Sequence, residues 1–166
     1  MISGYLIGDR ALLARMGNVS SRVKAKVDEA VSRLGYMLQR KVQVDKLTGQ
    51  VLRVRTDRLR GSISPSSGES ASRFVFTSTS AIAYVGTKVP YGVAWERGIS
   101  AHDIVPIRAK ALRFEIGGEV VFAKRAHIPA QAARPFLQPS LFELRPVILR
   151  ELGQALTDGT REAMRG

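Results

Sequence analysis

The sequence predicts an α+β fold: an antiparallel β-sheet packed against a long N-terminal helix, with a C-terminal helix and an extended proline-rich arm. Three observations predict it. Apolar residues recur at spacings of three and four in two stretches, one in each half of the chain. Between them lie short segments of alternating or β-branched and aromatic residues, one closed by a Gly-Gly pair. Pro129, Pro135 and Pro139 crowd into residues 127–139, where neither a regular helix nor a central strand can run.

The first helix is expected over residues 20–43. Val23, Val27, Ala30, Val31, Leu34, Leu38 and Val42 form its apolar stripe, and Ser20 or Ser21 offers a capping hydroxyl. Arg22, Lys26, Arg33 and Arg40 line one edge of that stripe, with Glu29 placed to meet Arg33 four residues on. This row reads either as a track for phosphates or an acidic partner, or as a solvated helix flank.

Residues 51–125 read as mainly strands and loops. Arg53, Arg55, Arg58 and Arg60 make the densest positive charge in the chain, countered only by Asp57. SPSSGESAS, residues 64–72, reads as a mobile loop or a long hairpin tip. Phe74, Phe76 and the run Ala81 to Val85 predict two strands separated by Thr77 to Ser80. Tyr91 and Trp95, four apart, predict one face of a short helix ended by Gly98. ALRFEI-GG-EVVFAK predicts a hairpin in which Ile116 opposes Glu119, Phe114 opposes Val121 and Leu112 opposes Ala123, its apolar face resting on the long helix. The arm occupies 127–139, and Leu141, Leu144, Ile148, Leu152, Ala155 and Leu156 predict a last helix over 140–164, which Pro146 either starts or kinks. With no linker or repeat, residues 1–166 read as a single domain.

Composition bounds the function. The chain has 26 Lys and Arg against 14 Asp and Glu, a net charge of +12, so an acidic partner is expected. Residues 1–60 hold 13 basic and 5 acidic side chains, which places that partner on the first third. The absence of cysteine removes disulfides, thiolate metal sites and cysteine nucleophiles. No apolar run approaches the roughly 20 residues that span a bilayer, so no membrane partner is expected. His102 and His127 lie in no ligand pair or triad pattern, and no phosphate-binding glycine loop occurs. No catalytic, cofactor or metal residue is assigned, and the chain reads as a non-enzyme without cofactors.

Four segments taken in order carry a resemblance: LTGQVLRVRTDRLRGSI, VPYGVAWERG, HDIVPIRAKALRF and VVFAKRAHIPAQAARPFLQPSL. Together, over about residues 45–142, they resemble the neck or tail-completion proteins of long-tailed bacteriophages and prophages, the minor tail or virion morphogenesis proteins that join head to tail. A TGxLRxSI box matches at Thr56, Leu59, Arg60, Ser62 and Ile63, with Asp57 in place of its glycine. A PYAxxxExG box matches at Pro90, Tyr91, Glu96 and Gly98. The HPGxxxxPFLxPA arm matches at His127, Pro129, Pro135, Phe136, Leu137 and Pro139, with Ile128 and Ala130 departing from it and Ser140 standing for the last residue.

The resemblance implies a structural virion protein, made in the host cytoplasm, that forms a ring, usually a hexamer, at the neck. Its implied partners are copies of itself, an adjacent connector or stopper ring, tail terminator or tube proteins, and packaged DNA. A tail terminator ring is the close alternative, and a basic nucleic-acid-binding protein is the alternative of another class. Contacts to DNA or acidic partners are expected from Arg22, Lys26, Arg33, Arg40, Arg53, Arg55, Arg58 and Arg60. Subunit contacts are expected from the arm residues Pro129, Pro135, Phe136, Leu137 and Pro139, with Phe136 and Leu137 anchoring in an apolar groove of the same or the neighbouring subunit.

Overall fold

A computed structural model describes residues 10–49, 51–52 and 57–165. The fold is α+β, and the chain divides into two compact units, Met1–Lys88 with Phe136–Gly166, and Val89–Pro135.

The first unit is built on two long helices, α1 (Arg10–Arg40) and α4 (Leu137–Arg165), packed along one another. Helix α1 starts ten residues before the serines expected to cap it. Ser20 and Ser21 are interior because ALLARM, just upstream, consists of strong helix formers, and such a run overrides a local capping signal. The predicted stripe is the buried one, with Ala30 and Leu34 in the core. The two helices touch closely where a Cβ on Gly159 would lie 2.7 Å from the Cα of Val23. Only glycine fits there.

α1 does not stop at Val42 but passes into a π-helical turn, Lys41–Lys46. Leu47 N–H bonds the Val42 carbonyl at 3.1 Å, so two apolar residues five apart, both buried, share one side of the chain. Lys41 and Lys46 then reach Glu143 of α4 at 2.9 and 2.6 Å.

The antiparallel strands β1 (Arg73–Phe76) and β2 (Ala81–Tyr84) pack on α1, with Thr77 to Ser80 turning between them as expected. Phe74 and Ala83 face each other across this pair and lie over Gly35, where a Cβ would come within 2.9 Å of the Ala83 methyl. A short helix, α2 (Arg58–Gly61), precedes them. Residues 64–72 form a chain of hydrogen-bonded turns rather than an open tip: Ser67 N–H bonds Ser64, Ser70 N–H bonds Ser67, and Ser70 bridges to Thr87. Ser70 and Ser72 are buried.

α4 begins at Leu137, so Pro139 belongs to its first turn, where a missing N–H costs nothing. The helix continues through Pro146.

The second unit holds α3 (Pro90–Arg97) and two separate antiparallel pairs, β3 (His102–Ile104) with β6 (Ala126–Ile128) and β4 (Leu112–Ile116) with β5 (Glu119–Ala123). The β4–β5 register is the predicted one, residue for residue. The strand pair packed on the long helix is β1–β2, and Ile116, Val120, Val121 and Phe122 of the β4–β5 hairpin are exposed. Among the described residues of this unit only Val89 and Gly92 are buried. No helix among the described residues is long and apolar enough to cross a membrane.

Candidate interaction surface

The sequence offered three sets of contact residues, and the structure treats them differently. The basic row along α1 is turned toward α4. Arg22 donates to the Glu162 carbonyl oxygen at 2.6 Å, Lys26 pairs with the Glu162 carboxylate at 2.9 Å, and Arg33 pairs with Glu151 rather than with the expected Glu29. Hydrogen bonding and the charge of Glu162 hold the Lys26 ammonium above its ordinary range. These cations serve the α1–α4 seam. Arg40 is exposed.

Of the arginine cluster, Arg53 and Arg55 lie outside the described residues. Arg58 grips both oxygens of Glu69, its Nε at 3.0 and 2.9 Å, and this pair draws the Glu69 carboxyl below its ordinary value. Arg60 meets Asp57 at 2.6 Å. Asp57 has φ 56° and ψ −3°, so the backbone keeps a left-handed turn at the position where the resembling pattern carries glycine. The residues after it enter the core. Ser62 is buried and donates to the Leu59 carbonyl at 2.7 Å, and Ile63 is fully buried. Ser72 donates to the Ile63 carbonyl at 2.7 Å and accepts the Gly86 N–H at 3.0 Å. The box is thus a folding device at least as much as a charged surface.

The arm separates into two parts. In the second unit, Pro129 is exposed and Pro135 half-buried. Gln131 and Ile99 exchange both backbone bonds, at 2.9 and 2.8 Å, and Arg134 N–H bonds the Trp95 carbonyl at 2.7 Å. Gly98 has φ 79°, and a Cβ there would lie 2.8 Å from the Gln131 carbonyl oxygen, so the end of α3 and the arm meet only because this residue is glycine. Two motifs far apart in sequence are thereby neighbours. In the first unit, Phe136 is fully buried, and Leu137 and Pro139 are half-buried. The Phe136 anchor is seated within its own chain, and Ser140 Oγ bonds its carbonyl at 2.6 Å.

Two features lie outside the contact residues that the sequence offered. Asp103 and His127 are register partners across β3 and β6, and His127 Nδ1 stands 2.9 Å from the Asp103 carboxylate. Arg125 pairs with the same carboxylate and, with His127, draws it below its ordinary value. Strand pairing brings these residues together, a signal absent from local spacing. All three are exposed, and among the described residues no His, Cys, Asp and Glu group has the form of a metal site.

The second feature is the β4–β5 hairpin. Two-stranded sheets are marginal on their own in water, and this one carries Ile116 at 65% and Phe122 at 66% exposure beside Val120 and Val121. Ile107, in the segment leading into β4, is 95% exposed. Ile116 and Val121 lie on one face of the hairpin and Val120 and Phe122 on the other, so both faces present apolar side chains suited to protein contact. Compared with known protein families, characterised proteins and solved structures, the chain gives no match.

Proposed function

We propose that the chain is a structural virion protein of a tailed bacteriophage, a subunit of a ring at the neck that completes the tail and joins it to the head. The observation that carries the reading is the β4–β5 hairpin, whose large apolar side chains stand in solvent as a subunit awaiting neighbours would present them. The ordered segments quoted above supply the resemblance to neck proteins. A ring repeats one heterologous contact until it closes, so exposed apolar surface on each copy is covered by the next. In this reading the protein resides in the virion, is made in the host cytoplasm, and touches the connector or stopper ring on one side and terminator or tube proteins on the other.

A nucleic-acid-binding role draws less support, because Arg22, Lys26, Arg33, Arg58 and Arg60 are engaged within the chain. The experiment is a deletion in the producing phage followed by electron microscopy of the lysate. Free heads beside finished, unattached tails are expected. Tubes of uncontrolled length would instead make the chain a tail terminator, and normal particles would end both readings.

A further inference from the structure

We propose that the free chain dimerises through the open edge of β4, two copies joining antiparallel about a two-fold axis at Phe114. β4 pairs with β5 alone, so its other edge has no strand beside it among the described residues. In a hairpin closed by two residues the flanking pair, here Ile116 and Glu119, exchanges both backbone bonds, and the alternation along the strand then aims the N–H and C=O groups of Arg113 and Glu115 at the open edge. Only registers that place these outward residues opposite one another can form bonds.

Charge selects among those registers. An axis at Arg113 sets Arg113 against its own copy, and an axis at Glu115 sets Glu115 against its own copy; like charges directly opposite destabilise a strand pair. An axis at Phe114 places Arg113 opposite Glu115 of the second copy, twice by symmetry, with Leu112 opposite Ile116 and Phe114 opposite Phe114. Both charged side chains are exposed and, among the described residues, neither is in an ion pair. The product is a four-stranded sheet, which crosses the size at which a sheet with an apolar face becomes independently stable. Its one face gathers Leu112, Phe114, Ile116 and Val121 from both copies.

The inference does not rest on the neck reading. A two-fold contact closes on itself and builds no cyclic ring, so it describes the free subunit, and the lysate phenotype reads the neck assignment separately.

Sedimentation equilibrium of the full chain tests it. The wild type is expected to dimerise, and Arg113→Glu and Glu115→Arg are each expected to weaken the dimer roughly tenfold or more, since both opposed pairs become repulsive. The milder Arg113→Gln weakens it less, in the same direction. Mixing the two reversed variants in equal amounts, or combining both changes in one chain, restores complementary pairs and wild-type affinity. A monomeric wild type, dimers indifferent to the reversals, or a mixture that fails to recover would each overturn the proposal.

Discussion

Asp57 shows how a single residue can keep a conformation its chemistry disfavours. Its φ of 56° is the only positive value among the described non-glycine residues, and Asp tolerates the left-handed region better than most side chains. Its carboxylate is half compensated by the exposed pair with Arg60, which contributes little on the surface. Asp57→Gly is therefore expected to leave stability equal or slightly higher. Asp57→Val, with a branched Cβ, is expected to lose about 1–2 kcal/mol. Urea denaturation of both variants checks this, and equal stability for the two would contradict it. Phe136 makes the opposite kind of contribution. With its ring wholly buried within its own chain, Phe136→Ala is expected to cost about 3–5 kcal/mol in the same measurement, even where no second copy is present.

At the scale of elements, the junction between the π-helical turn and α4 depends on Glu143. Hydrogen bonds from Lys46 and then Lys41 hold its carboxyl below the ordinary carboxylate range, while Glu143 and then Asp45 hold Lys41 above the ordinary ammonium range. A depressed carboxyl means that the unfolded chain takes up its proton first as pH falls. The contribution of Glu143 is therefore complete above the unfolded value, about pH 4, and is lost as pH falls through the folded one. Lys41 behaves in mirror image: its contribution is complete below its unfolded value and lost as pH rises through the raised folded one. Glu143→Gln should flatten the acid limb of a stability profile and weaken the alkaline one, and an unchanged profile would remove Glu143 from the account. The same junction marks the limit of what periodicity can reveal. The stripe from Val23 to Val42 was legible because burial follows the helical period, and the β4–β5 register was legible because Gly117-Gly118 fixes the turn. The π turn was not, since its cause is the joint burial of Val42 and Leu47 against distant residues. Nor was the Asp103–His127 pair, which exists only once β3 and β6 have met. The early start of α1 was missed for a different reason: Ser20 looked like a cap, and that signal outweighed the helix-forming run ALLARM before it, which carries no capping residue of its own.

For the molecule as a whole, the distribution of charge along the sequence and over the surface differ. The first third holds the most cations, yet Arg22, Lys24, Lys26, Arg33, Lys41, Lys46, Arg58 and Arg60 all have partners within the chain. Arg108, Lys110 and Lys124, at the base of the β4–β5 hairpin, are exposed, and among the described residues they form no ion pair. Lys110 and Lys124 flank the strand ends that the Leu112–Ala123 pair closes, so the hairpin's register holds their backbones near one another. A cation already paired must give up its carboxylate before it can meet a phosphate, and the released carboxylate then repels the polyanion. An unpaired cation pays neither penalty. If the chain meets DNA, the contact should therefore favour unpaired cations such as Lys110 and Lys124 over the partnered ones of the first third. Titration of a DNA duplex at several salt concentrations reads this directly. The slope of log K against log salt should fall by roughly 0.9 for each phosphate contact removed. Lys110→Gln and Lys124→Gln are each expected to lower it by that amount, whereas Arg33→Gln and Arg58→Gln should leave it nearly unchanged. The reverse ranking would return the polyanion surface to the first third of the chain, where the composition first placed it.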